Sequence, residues 1–312
     1  MNLPDSEPTF LPSLGVLVSG SIWGLFWLPL RAIEARGASG DWVNLVFFSV
    51  SGATILPWAL RRTVLATQSK DQLVTGLLLG TAFALYTLSL SMTDVVRAIL
   101  LFYMTPVWST LASIAFWKGR LTTRRAAALS FGLGGLWLVI QNDQGIPIPH
   151  NTGDWVGLLA GICWSLGTLR SFHRESLPVS STMLAFSIGG LGTTLAAMVL
   201  RYQTGNLSTN IAAVVDVMPL MLTLGLCMFA IPNLLVLWAA ERVEPARVGI
   251  LLLAEVLTGT VSAALFSTEP VSKAQILGAT LIVASGVVEV TARSESAPRK
   301  SAVRIPKARP QL

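Results

Sequence analysis

Residues Asp94–Arg125 read DVVRAILLFYMTPVWSTLASIAFWKGRLTTRR, and this stretch decides the fold. From Ala98 to Trp117 it runs for 20 residues without a charge, enough for one helix to cross a bilayer at ~1.5 Å per residue. One flank is a dense basic cluster, Lys118, Arg120, Arg124 and Arg125; the other holds a single acid and a single base, Asp94 and Arg97. Mid-span stand Tyr103, Pro106 and Trp108, polar-tipped or helix-disturbing residues at the depth where unsatisfied polar groups cost most.

The rest of the chain has the same character. Its 312 residues are 53% hydrophobic and 12% charged, against roughly 25% charged in a soluble domain, and the mean hydropathy is +0.65. No soluble architecture hides that much apolar surface, so the fold class is an all-α polytopic membrane protein. The formal charge of +6 would suggest a nucleic-acid partner in a soluble chain; here it is topology signal, and no nucleic-acid binding is expected. Cys163 and Cys227 both lie inside apolar runs, which suggests neither a disulfide framework nor a metal site. The opening MNLPDSEPTF has no basic residue before the first apolar run, unlike a cleaved signal peptide, so the first span is expected to be retained.

Charge-free blocks fall at 12–30, 42–60, 72–93, 98–117, 126–142, 155–169, 176–200, 217–240, 248–268 (broken only by Glu255) and 274–288. That predicts ten transmembrane helices; a nine-helix count would put the termini on opposite sides. With ten spans and both termini in the cytoplasm, 17 of the 22 Lys and Arg residues lie inside and 5 outside. The positive-inside rule supports the count and the orientation together. The expected location is a bacterial inner membrane, with Trp42, Trp58, Trp117, Trp155 and Trp238 near span ends in the headgroup belt. The tail from Arg293, basic and proline-bearing, is expected to lie loosely at an anionic inner leaflet.

The chain also repeats itself. Shifted by 150 residues, the opening stretch lands on EPARVGILLLAEVLTGTVSAALFSTEPVS, aligning Asp94 with Glu244, Arg97 with Arg247, Leu101 with Leu251, Thr110 with Thr260 and Phe116 with Phe266. A shift of 141 sets LVSGSIWGL (17–25) on LLAGICWSL (158–166). The expected layout is a cytoplasmic N-terminus (1–11), a first five-helix repeat (12–142), an external linker (143–152), a second five-helix repeat (153–291) and a basic cytoplasmic tail (292–312). An odd number of spans per repeat makes the two copies inverted, the arrangement that permits alternating access.

Two inverted five-helix repeats with these motifs resemble the drug/metabolite transporter superfamily, specifically its EamA-type exporters. The carrying residues are AILLFYMTPVW (Ala98–Trp108), the KGRLTTRR turn, ARVGILLLAE (Ala246–Glu255) and TEPVSKAQILG (Thr268–Gly278). The Tyr103/Pro106/Trp108 pattern and the tryptophan-bearing first span look most like the YddG-type aromatic amino acid exporters. The pattern departs at Val256, where the family usually has proline, and at Gly119, where it usually has glutamate. The resemblance implies export of small amphipathic metabolites, aromatic amino acids foremost, with other metabolites, cationic drugs or a passive channel as alternatives.

Candidate site residues follow from what is unusual at mid-bilayer depth. A lone carboxylate facing lipid costs ~2.5–3.5 kcal/mol on insertion scales, so Glu255 should face the bundle interior, as proton-coupling group, amino-group partner or buried packing acid. Pro106 leaves the Phe102 carbonyl without its helical donor, and Tyr103 shares its face. Trp23 and Trp164 occupy equivalent places in the first and sixth spans; paired indoles suit a planar ligand or simple bulk. Tyr86 and Asn233 complete the substrate-binding candidates, with packing and helix glue as their plainer reading. His150 and His173 lie in loops on opposite sides, so they do not form a metal pair. There is no Walker sequence, dinucleotide fingerprint, zinc-protease motif or triad at one depth. No enzyme activity and no cofactor are expected; the expected partners are a small-molecule substrate and the lipid bilayer, and the protein is expected to work as a monomer.

Overall fold

A computed structural model describes residues 10–61, 70–117, 121–140, 149–173, 179–205, 207, 210–240, 242–243, 245–267 and 271–296. Residues 1–9, Lys118, Arg120, most of the linker, Glu244 and the tail from 297 lie outside them, as do the side chains of Trp58 and Trp117.

Lipid offers no hydrogen bonds, so a spanning segment must close its own backbone pairs, and each apolar block folds as a helix. In chain order these are α1 (Phe10–Gly24), α2 (Trp27–Glu34), α3 (Gly40–Arg61), α4 (Lys70–Met92), α5 (Val95–Phe102), α6 (Thr105–Trp117), α7 (Thr123–Ile140), α8 (Thr152–His173), α9 (Val179–Gln203) and α10 (Ile211–Leu224). A π-helical turn, Gly225–Ala230, leads into α11 (Ile231–Ala240), followed by α12 (Pro245–Leu252), α13 (Ala254–Phe266) and α14 (Lys273–Ser296). There is no strand among the described residues. Among the described residues six stretches are long and apolar enough to cross a membrane: Phe10–Glu34, Leu73–Met92, Val95–Phe116, Val179–Gln203, Ile211–Ala239 and Arg247–Phe266. The four other apolar blocks of the sequence coincide with α3, α7, α8 and α14.

The packing has a two-fold pattern. Helix α4 lies along α8 as α11 lies along α1; α5 and α6 pack on α8 as α12 and α13 pack on α1. Two further pairs join counterparts, α7 with α14 and α3 with α9, and α4 also packs extensively on α9. Small residues set these approaches. A Cβ at Gly80 would overlap the Phe186 carbonyl across the α4–α9 contact, and one at Gly135 would stand 2.8 Å from the Gly278 carbonyl oxygen across α7–α14.

Among the described residues three spans are broken, at Leu25–Phe26, at Tyr103–Met104 and at Leu253. At the second, Pro106 supplies no N–H and the chain bridges with tighter bonds, Met104 N–H to Leu101 O at 3.3 Å and Val107 N–H to Met104 O at 3.0 Å. Leu253 is the residue 150 after Tyr103, so the two breaks fall at one place in the repeat. The later one forms without a proline, Val256 standing where Pro106 does. There Leu253 N–H reaches back three residues to Ile250 O at 3.1 Å, and the Leu252 carbonyl accepts from the Tyr103 hydroxyl at 3.1 Å. One break thus donates into the other across the repeat interface.

Candidate functional site

Aromatic rings line this interface. Trp23 of α1 meets Phe83 of α4 edge-on with centroids 5.4 Å apart, and Phe83 meets Tyr86 at 5.9 Å. Tyr86 stacks on Phe102 at 4.5 Å and 27°. Phe102 in turn contacts Tyr103 at 5.4 Å and Trp164 of α8 at 5.8 Å. These separations are those of favourable ring pairs. The ladder joins α1, α4, α5 and α8, and so both halves of the chain.

Glu255 sits beside it in the first turn of α13, 3% exposed. Its Oε2 accepts from the Tyr103 hydroxyl at 2.7 Å. The Tyr86 hydroxyl lies within electrostatic reach of the same carboxyl but outside hydrogen-bond geometry. Helix α1 comes close because Gly20 and Gly24 have no side chain. A Cβ at Gly20 would lie 3.6 Å from Glu255 N, and one at Gly24 would lie 2.6 Å from Glu255 O. Around this point Ser19 Oγ, Trp23 Nε1, Tyr86 Oη and Glu255 Oε1 are buried without a hydrogen-bond partner. Buried polar atoms are normally paired; these four unpaired ones lie on α1, α4 and α13.

A small cavity of about 50 Å³ opens next to the ladder, lined by Trp23, Leu79, Trp164, Phe186, Asn233 and Val236 among others. A cavity needs about 10–15 Å³ on this measure to hold one water, so this space admits a few waters. Asn233 donates to Phe229 O at 2.9 Å across the junction of the π-helical turn with α11.

One end of the bundle is held together by buried ion pairs. Arg97, 5% exposed, pairs with Asp154, which is 0% exposed, and donates to Val139 O at 2.7 Å. Asp154 also accepts from Thr93 at 2.7 Å and from His150 N–H at 2.8 Å. Arg31 donates to Thr93 O at 3.1 Å, and Arg201 pairs with fully buried Asp41 at 2.5 Å. The repeat mate of Arg97, Arg247, is exposed at the opposite end. Ser13, the residue 141 before Asp154, is a serine, so that end has no matching acid on the first span. Asp94, the acid next to Arg97 in sequence, is exposed.

Of the sequence candidates, the structure brings Tyr86, Tyr103 and Glu255 together. It places Trp23, Trp164 and Asn233 on the adjoining cavity, the two indoles touching Phe83 and Phe102 rather than each other. Pro106 is buried toward Gly286 of α14. The Phe102 carbonyl it leaves bare points at Gly161 of α8, where a Cβ would stand 2.7 Å from it. Phe83, Phe102 and Ser19 were not expected. A phenylalanine within an apolar block carries no signal, though Ser19 does sit one helical turn before Trp23 on the same face. Of the tryptophans expected near span ends, Trp155 is 59% exposed, whereas Trp42 is partly buried against the core with its Nε1 unpartnered.

An all-helical, internally two-fold chain with broken spans meeting at a central polar and aromatic site has the build of a membrane transporter for small molecules. The chain belongs to the EamA-like transporter family, which matches it twice, over residues 11–141 and 151–290. EamA proteins are transporters rather than enzymes. A solved crystal structure 19% identical in sequence covers 93% of this chain and 99% of its own, with a TM-score of 0.57; the likeness is one of fold. No curated protein matches the chain significantly.

Proposed function

We propose that the protein exports small amphipathic molecules, aromatic amino acids foremost, by alternating access. It would do so as a monomer of ten spans in two inverted five-helix repeats, in a bacterial inner membrane with both termini cytoplasmic. The observation that carries this reading is the complement of orphan atoms beside the aromatic ladder. Glu255 Oε1 is an acceptor suited to an ammonium group; Ser19, Trp23 and Tyr86 offer donors suited to a carboxylate; the ladder offers faces for a ring. Opening and closing is supported by the asymmetry of the ends. With the positive-inside orientation, the Arg97–Asp154 end is external and closed, and the Arg247 end is cytoplasmic. Glu255 is also the coupling candidate.

Purified protein in liposomes preloaded with labelled tryptophan or phenylalanine is expected to show saturable flux. Trp23→Ala and Phe102→Ala, each removing one ring of the ladder, are each expected to lower it about tenfold or more, since a ring pair and its burial together are worth ~1.5 kcal/mol or more. Absence of saturable flux for every aromatic compound overturns the substrate claim. Identical flux with and without a pH gradient overturns coupling.

A further inference from the structure

Three acidic side chains are buried among the described residues, Asp41, Asp154 and Glu255. Two of them have an arginine, Arg201 for Asp41 and Arg97 for Asp154. Glu255 has none: its neighbours are the Tyr103 hydroxyl, the Tyr86 ring and hydroxyl, and helix α1. The one basic side chain buried among the described residues is Arg97, six residues before Tyr103 and so about 9 Å further along the helix, where Asp154 already holds it. A carboxylate kept from water with no cation beside it costs several kcal/mol, a cost that either a bound proton or an arriving cation removes.

From this we infer that the positive charge is the substrate's own. The Glu255 carboxylate and the freed Leu252 carbonyl, with the Tyr86 hydroxyl near them, form a site for an organic ammonium group, with the Tyr103 hydroxyl as the placeholder that the ammonium displaces. The inference rests on the transport reading above and sharpens it: the amine is the obligatory part of the substrate and the carboxylate is dispensable. Three features favour an ammonium. First, Tyr103 already bridges Leu252 O and Glu255 Oε2 from a single donor atom, at 3.1 and 2.7 Å. An ammonium's N–H groups can satisfy the same two acceptors and also Oε1, which is orphaned. Second, the Tyr103 and Tyr86 hydroxyls stand near the carboxyl, and a hydroxyl oxygen can accept from an ammonium N–H. Third, a hard metal ion needs about six oxygen ligands, and those identified here are Leu252 O, the Glu255 carboxylate and the Tyr103 hydroxyl. Displacement of Tyr103 also has a structural consequence, because its hydroxyl ties the break between α5 and α6 to the break between α12 and α13. Binding of the amine would release that tie.

The test is a four-compound series on the full-length protein in liposomes: tryptophan, tryptamine, indole-3-propionate and 3-methylindole, read as inhibition of labelled tryptophan flux and as direct flux of each. Tryptophan and tryptamine are expected to saturate and compete, and indole-3-propionate to fail at concentrations about tenfold higher. Glu255→Gln is expected to weaken both amines at least about tenfold, whereas Tyr103→Phe, which removes the competing hydroxyl, is expected to tighten them a few-fold. Gel filtration and circular dichroism of each variant establish that it is folded, and the wild-type series decides the matter even where a variant is not. Indole-3-propionate moving as well as tryptamine would overturn the ammonium site while leaving an aromatic transporter in place. So would flux that follows a sodium gradient and ignores the amine. No saturable flux of any of the four overturns the aromatic-substrate reading, and this inference with it.

Discussion

Replacing Asp154 with alanine is expected to destabilise the protein by ~3–5 kcal/mol, because it leaves the Arg97 guanidinium buried and uncompensated. The carboxylate is the hub of its end of the bundle. It takes hydrogen bonds from Arg97 on α5, from Thr93 just after α4 and from the His150 backbone ahead of α8. Arg97 ties the same hub to the last residues of α7 through Val139 O. Four helices are therefore joined through one ion pair. The control is the double variant Arg97→Met/Asp154→Ala, which removes both charges and is expected to recover a substantial part of the loss, since an apolar replacement of a buried pair is often close to neutral. Unfolding by denaturant in detergent micelles or bicelles gives both values. A loss under ~1 kcal/mol for Asp154→Ala, the range of an exposed ion pair, would mean that this end is wet and the pair does not hold it.

Gly80→Ala is the second large expected effect, at ~1–3 kcal/mol or more. A methyl group at Gly80 would overlap the Phe186 carbonyl and approach Gly190 N at 2.8 Å, so it meets backbone on both sides rather than a side chain that can swing away. Helices α4 and α9 would have to separate, and Phe83 and Phe186, in ring contact at 6.0 Å, would be pulled apart with them. The consequence should reach transport as well as stability, because Phe83 links Trp23 to Tyr86 in the ladder. Gly192 on the same helix α9 is the control: nothing lies within 4 Å of a Cβ there, and Gly192→Ala is expected to be neutral or mildly stabilising through helix propensity alone. Similar losses for both glycines would show that helix dynamics, not the α4–α9 contact, governs the effect.

Much of the architecture is readable from the chain because lipid simplifies the problem. An uncharged run such as Ala98–Trp117 has few alternatives to a helix, and the matches of Asp94 with Glu244 and Arg97 with Arg247 expose the repeat without any structure. Glu255 was legible for the same reason, since a carboxylate at that depth has to be explained. What was not legible depended on contacts between distant segments. Arg97 and Asp154 are 57 residues apart, and local reading offers Asp94 as the neighbour instead. Pro106 correctly signalled a break in its span but not the direction of the bared Phe102 carbonyl, which Gly161 on another helix receives. The break at Leu253 has no proline to announce it; it is matched to the first by symmetry and joined to it by Tyr103. Phe83 and Phe102, two rungs of the ladder, look like any phenylalanine in an apolar block, and only packing separates a ring that faces a site from one that faces lipid.

The most direct test of alternating access around the Trp23–Glu255 site is trans-stimulation in liposomes containing the purified protein. Labelled tryptophan uptake is measured with empty vesicles and with vesicles loaded with unlabelled tryptophan. Uptake that saturates and is accelerated by the internal tryptophan, because a loaded carrier returns faster than an empty one, is the predicted result. Uptake that rises linearly with concentration and is indifferent to internal tryptophan would contradict it and make the protein a pore.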